Sequence, residues 1–227
     1  LIAQGERIGV LYLRRAINDF EGKEAYDSVE FWKSLAMMVA ERLAFVVLNL
    51  KLRQDLLDQS VHDPLTGLFT RRYFEEALQG EIKRALRYQR AVGLILIELD
   101  RLDELETTMG QAAVNVVIQT FGKFISSQIR SSDVACYYEP NNFAVLLAEA
   151  SLEDSYRRAE VFRMTGENQR IIFNGRWLKA VTLSIGVSAF PQHGDNSEDL
   201  LNAAQYALNA AINKGRNFVV MAGVETV

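Results

Sequence analysis

The chain has 227 residues, 49% hydrophobic and 24% charged, a composition that buries a core and fits one domain with an appendage or two small ones. Its 25 Lys and Arg against 29 Asp and Glu leave a net charge of −4, which excludes the basic surface of a general nucleic-acid binder. A single cysteine, Cys136, excludes an internal disulfide and a cysteine-based zinc site, and no apolar run approaches the roughly 20 residues of a membrane-spanning helix.

In chain order, Ile8–Leu13 reads as a strand, and a polar stretch follows to Glu24. From Ser28 to about Ser60 the pattern is helical, with Asp27 or Ser28 as N-cap. This helix carries two apolar stripes. One runs Trp32, Ala36, Val39, Leu43, Val46, Leu50, Leu57, and the other Phe31, Leu35, Met38, Phe45, Leu52, Leu56. A helix facing one core needs one stripe. Two stripes fit a partner helix in a homodimer, with Arg42 and Asn49 setting register, or a single broad buried face. The turn-rich His62-Asp63-Pro64 places a domain boundary near residue 61. Beyond it come helices over Arg71–Gln89, Gln111–Ile129, Leu152–Met164 and Asp199–Asn213. Strands are expected over Val92–Leu99, Val134–Tyr138, Phe143–Ala148, Leu178–Ser188 and Phe218–Met221. The alternation predicts an α/β (α+β) fold, a mixed sheet flanked by helices. Neither GxGxxG nor GxxxxGK[ST] is present. His62, His193, Cys136 and Trp177 read as structural residues.

The segment Asp63-Pro64-Leu65-Thr66-Gly67-Leu68-Phe69-Thr70-Arg71-Arg72-Tyr73-Phe74 resembles the opening motif of the GGDEF family, the diguanylate cyclases. Leu183-Ser184-Ile185-Gly186-Val187-Ser188, Leu200-Leu201, Ala207-Leu208 and Gly215-Arg216-Asn217 follow in that family's order. The resemblance covers about residues 61–222 and leaves 223–227 as a tail. Gly5–Leu11 and the helix after it resemble the last strand and helix of a GAF sensory domain, so residues 1–60 are expected to be a GAF fragment with a connector.

The family joins two GTP into cyclic di-GMP, using two divalent metals and a carboxylate in the signature hairpin. Here the hairpin is Glu139-Pro140-Asn141-Asn142-Phe143, where the family has two glycines, two acids and Phe. Glu98 and Asp100 stand at the family's Asp-x-Asp. Asp103 replaces a lysine, Glu106 and Asn115 stand at guanine-reading positions, and Ile212 replaces a phosphate-binding lysine, although Arg216 remains. One misplaced unit charge ~8 Å away at an effective dielectric of ~20 is worth about 2 kcal/mol. From these positions the expectation is a chain that is not an enzyme, with no bound metal, no cofactor, and Glu98 and Asp100 as remnants. Arg130-Ser131-Ser132-Asp133 matches the family's inhibitory Arg-x-x-Asp site. Arg and Asp suit the phosphate and the guanine edge of cyclic di-GMP. The family's further arginine follows Ala-Glu, but Val161 follows Ala159-Glu160, so Arg157, Arg158 and Arg163 are candidates to replace it. The leading expectation is a cytoplasmic cyclic di-GMP receptor, dimeric through helix 28–60, with a protein partner. The alternatives are a nucleotide-independent dimerising relay for a GAF sensor, and an enzyme of altered substrate resting on Glu98, Asp100 and Arg216.

Overall fold

Strand Val92–Leu99 (VGLILIEL) is almost wholly apolar, as a strand covered on both faces must be. It is the centre of the larger unit. The computed structural model describes residues 2–3, 6–7, 23–58 and 61–223, with side chains over 31–51 and 61–223. The chain divides into two compact units, Leu1–Ser60 and Val61–Val227.

In the first unit, β1 (Ile2–Ala3) pairs antiparallel with β2 (Glu6–Arg7), and α1 runs Lys23–Asp58. The expected strand Ile8–Leu13, and all of Gly5–Leu11 but β2, lie outside the described residues. The helix starts five residues before Ser28, so Asp27 and Ser28 are inside it and not its cap. Over 31–51, where its side chains are described, both predicted stripes are largely open: Phe31, Trp32, Met38, Phe45, Val46 and Leu50 are all exposed. The buried positions among these are Ala44 and Leu48, one turn apart and on neither stripe. Asn49 donates its side-chain amide to the Phe45 carbonyl at 2.9 Å, back onto its own helix. No described helix is long and apolar enough to cross a membrane.

The second unit begins with β3 (Phe69–Thr70) and α2 (Arg71–Tyr88), then β4 (Val92–Leu99), α3 (Leu102–Met109) and α4 (Gln111–Gln128). Next come β5 (Val134–Glu139), β6 (Asn142–Ala148), α5 (Leu152–Gly166), β7 (Ile172–Phe173) and β8 (Arg176–Trp177). The unit ends with β9 (Leu183–Phe190), α6 (Ser197–Asn213) and β10 (Val219–Met221). Six strands form one mixed sheet in the order β10-β9-β4-β6-β5-β3. β4 runs antiparallel to both neighbours, while the edges β10 and β3 pair in parallel.

Side-chain alternation along β4 divides the core. Ile95, Ile97 and Leu99 join Val117, Phe121 and Ile125 of α4 and Phe162 of α5 on one face. Leu94 and Leu96 join Phe74, Leu78 and Ile82 of α2 and Leu200, Ala204 and Leu208 of α6 on the other. The result is a sheet flanked by helices. α5 is capped by Ser151, whose Oγ accepts from the Asp154 N–H at 3.1 Å.

One element goes unassigned in the sequence reading and one expectation needs correction. The polar segment Leu102–Met109 is a helix, α3, anchored by buried Leu102 and half-buried Leu105. The strand expected over Leu178–Ser188 starts and ends later, as β9 over Leu183–Phe190, and the residues just before Leu178 form β8, in a separate hairpin with β7 turned by Asn174-Gly175, both at positive φ.

At Gly186 in β9, a Cβ would lie 2.2 Å from the Ala204 carbonyl oxygen and 2.3 Å from the Leu208 nitrogen of α6. Backbone meets backbone here, so Gly186→Ala must push α6 off the sheet. The expected cost is about 2 kcal/mol, a fall in Tm of about 4–8 °C by thermal unfolding. An unchanged Tm would contradict the close approach.

Candidate functional site

The C-terminal end of β4 carries Glu98, Leu99 and Asp100. Opposite Glu98 in register stand Asn142 of β6 and Ser184 of β9. Asp100 is buried, and its carboxylate accepts from Thr182 Oγ1 at 2.6 Å, Ser184 Oγ at 2.7 Å and the Asn217 N–H at 3.1 Å. The Arg216 guanidinium lies 3.9 Å away, with its buried Nε making no hydrogen bond. Glu98 is half-buried. Burial first, and the Asp100 charge second, raise its carboxyl above the ordinary range, against the opposing pull of Arg216.

The β5–β6 hairpin closes on Pro140 and Asn141. Asn141 takes a left-handed φ of 70°, which asparagine tolerates, and its carbonyl accepts from the Leu99 N–H at 3.0 Å. Asn142 Oδ1 is buried with no hydrogen-bond partner. Glu98 and that orphaned oxygen are the donors still open to a hard cation at this end of the sheet. Asp100 is less open, because its two oxygens already accept three hydrogen bonds. Phe143 is fully buried in the core.

Glu139 is neutralised from an unexpected quarter. Arg71, the first residue of α2, donates to it at 2.6 Å and to Glu75 at 2.8 Å, and lies 4.3 Å over the Tyr138 ring. The Tyr138 hydroxyl donates to Glu75 at 3.2 Å, and burial pushes its phenol up to about 12. The hairpin is thereby fastened to α2. Nothing in the spacing of Arg71 and Glu139 signals this contact, which the sheet makes by pairing β3 with β5. Of the other positions singled out, Asp103 and Glu106 are exposed on α3. Asn115 accepts from Gln111 at 3.0 Å, and Ile212 packs against the α2–α6 core.

A second site lies at the opposite end of the sheet, between the turn after α4 and the start of α5. A cavity of about 400 Å³ is lined by Arg130, Asp133, Glu149, Asp154, Arg157 and Arg158, among others. The Asp133 side chain is 4% exposed. Its Oδ2 accepts from the Arg130 backbone N–H at 3.0 Å and from Arg158 Nη2 at 3.3 Å, and Oδ1 accepts from Ser132 at 3.4 Å. Asp154 pairs with Arg157 at 2.6 Å, and Glu149 pairs with Arg90. The three carboxylates of the cavity are therefore each paired. Among the arginines lining it, Arg157 and Arg158 are engaged, whereas the Arg130 guanidinium has neither an ion pair nor a hydrogen bond among the described residues. Arg163 is not in this cavity. It donates to Glu160 at 2.9 Å and to Asn217 at 3.2 Å, so its candidacy for the site is corrected. Sequence spacing missed Glu149 and Asp154, which the β6–α5 connection brings to the cavity.

The family described as "Diguanylate cyclase, GGDEF domain" matches residues 60–218. The response regulator PleD of Caulobacter vibrioides is 35% identical over 165 residues, 72% of this chain and 36% of PleD. Diguanylate cyclase TpbB of Pseudomonas aeruginosa is 30% identical over 162 residues, 71% of this chain and 37% of that protein. The solved GGDEF domain of TpbB superposes with a TM-score of 0.68 at 30% identity, covering 71% of this chain and 94% of the other. The GGDEF domain of DgcB from Caulobacter crescentus, solved in complex with cyclic di-GMP, also gives 0.68, at 22% identity over 72% of this chain and 94% of that one, a likeness of fold. The chain thus spans little more than a third of the length of these curated relatives. The expectation that it is not an enzyme is overturned by them. The family is named for diguanylate cyclase and TpbB carries that name, so the residues of the Glu139–Phe143 hairpin are departures from a pattern and do not remove the chain from an enzyme family. On the family match over residues 60–218, the chain belongs to the GGDEF family of diguanylate cyclase domains.

Proposed function

We propose that this domain binds cyclic di-GMP in the cavity between Arg130 and Asp133, and that α1 holds two copies together. The observation that carries the first part is the unpaired Arg130 guanidinium beside a buried carboxylate. An arginine fork suits a phosphate or the O6/N7 edge of guanine. A carboxylate accepts from guanine N1 and N2, and a cavity of about 400 Å³ admits a base with its phosphate. The DgcB domain, solved with this ligand, supports the choice of ligand class. Arg157 supports it further. Its pair with Asp154 is exposed on both sides, so it can turn to a second phosphate with little loss.

Support for the second part is the open apolar surface of α1. Phe45 is 67% exposed and Leu50 60% exposed, with Phe31 and Trp32 further along the helix. Apolar surface of that extent on a helix is covered by a partner in a stable protein. A second copy presents the same two stripes and closes the assembly with two-fold symmetry.

Calorimetric titration with cyclic di-GMP is expected to show binding at micromolar affinity or better. Arg130→Ala is expected to weaken it at least tenfold, in line with the loss of charge-assisted hydrogen bonds worth about 1.5–3 kcal/mol. Unchanged affinity in Arg130→Ala would overturn the site. By sedimentation velocity the chain is expected to be dimeric, and the double variant Phe45→Glu, Leu50→Glu monomeric. A wild-type monomer at all concentrations, or a variant that stays dimeric, would overturn the role of α1.

A further inference from the structure

The cavity is not symmetric in how its arginines are engaged. Arg157 is on the rim, 74% exposed in its side chain. Arg158 is drawn inward, with 29% of its side chain exposed. Its Nη2 donates to the Gln128 carbonyl at 3.0 Å and to Asp133 Oδ2 at 3.3 Å. It thus joins the end of α4 to the carboxylate that would read the ligand. A guanidinium is a flat group with parallel N–H donors, and so is the N1/N2 edge of guanine. Both ask for the same acceptors. In the free protein Asp133 is 8% exposed, and its Oδ2 already has two donors, the Arg130 backbone N–H and Arg158.

We propose that Arg158 determines the affinity of this site, by occupying the guanine-reading carboxylate of Asp133 until the ligand displaces it. The inference rests on the cyclic di-GMP reading of the cavity given above. The energetics are those of competition. The free protein already has a charge-assisted bond at Asp133, so the ligand gains only the difference between its own bond and that of Arg158. Arg130 needs no such exchange, because its side chain is free from the start. Arg157 exchanges only an exposed ion pair, which is worth little.

A purely structural role for Arg158, tying α4 to α5, predicts a different response from a competing one. Arg158→Met keeps the apolar stem and removes the fork. It is expected to bind cyclic di-GMP about tenfold more tightly than wild type by calorimetry, with a faster association rate in stopped flow. Arg158→Lys keeps the charge without the fork and is expected to lie between the two. It also serves where the methionine variant folds poorly. Arg158→Met binding equal to or weaker than wild type, while wild-type binding is lost in Arg130→Ala, would overturn the competition and leave the site standing. No binding by wild type or by either Arg158 variant would overturn both.

Discussion

Asp100 is the constraint around which one end of the domain is built. A buried carboxylate needs hydrogen-bond donors, and Asp100 draws three of them from two separated stretches of chain. Thr182 and Ser184 come from the approach to β9 and from β9 itself, and the Asn217 N–H from the turn before β10. Its own N–H donates to the Thr182 carbonyl at 3.0 Å. Each hydrogen bond to the charged group is worth about 1.5–3 kcal/mol, and removing the carboxylate leaves two hydroxyls and an amide without an acceptor. The same bonds fix the end of β4 beside Glu98 and the turn that carries Arg216, while the β5–β6 hairpin is held next to them by the Asn141 carbonyl on the Leu99 N–H. Asp100 is thus a framework residue of the β4 terminus, and Glu98 is the carboxylate left facing outward from it.

The two ends of the sheet handle charge differently. At the hairpin, Glu139 is held by Arg71 and the Arg71 guanidinium rests on Tyr138, so that loop is fastened to α2 by an ion pair, a ring face and a hydrogen bond to Glu75. At the cavity beyond β5, three carboxylates are matched with three arginines drawn from Arg90, Arg157 and Arg158, and Arg130 is surplus. A concave surface with a surplus cation and acceptors at its base is suited to an anionic ligand that also carries N–H donors. That asymmetry comes from chain geometry. The turn after α4 places Arg130 and Asp133 three residues apart on one loop, while the start of α5 brings the opposing arginines from one helical turn.

Much of this was legible in the sequence. The apolar run of β4, the i, i+4 spacing of Phe74, Leu78 and Ile82, and the alternation of β5 and β6 each state their element directly. The order of the family motifs gave the fold, and Arg130-x-x-Asp133 pointed to the cavity. What failed has a physical reason in each case. α3 is a helix made by the docking of Leu102 and Leu105, and local propensity does not report docking. The β7–β8 hairpin rests on Asn174-Gly175, a two-residue turn signal passed over inside an apolar stretch. The choice among Arg157, Arg158 and Arg163 depended on which way α5 faces, and only the packed helix shows Arg163 turned toward Asn217. The departures at Glu139–Asn142 read as loss of enzyme identity, but single positions weigh less than a family match spanning residues 60–218.

The most direct test of the account is amide hydrogen exchange across the whole chain with and without cyclic di-GMP. The account predicts added protection at residues 128–133 and 148–158, including the Arg130 N–H that bonds Asp133, with little change at 98–101 and 139–142. Protection concentrated at 98–103, 139–142 and 216–217, with none around Asp133, would contradict it.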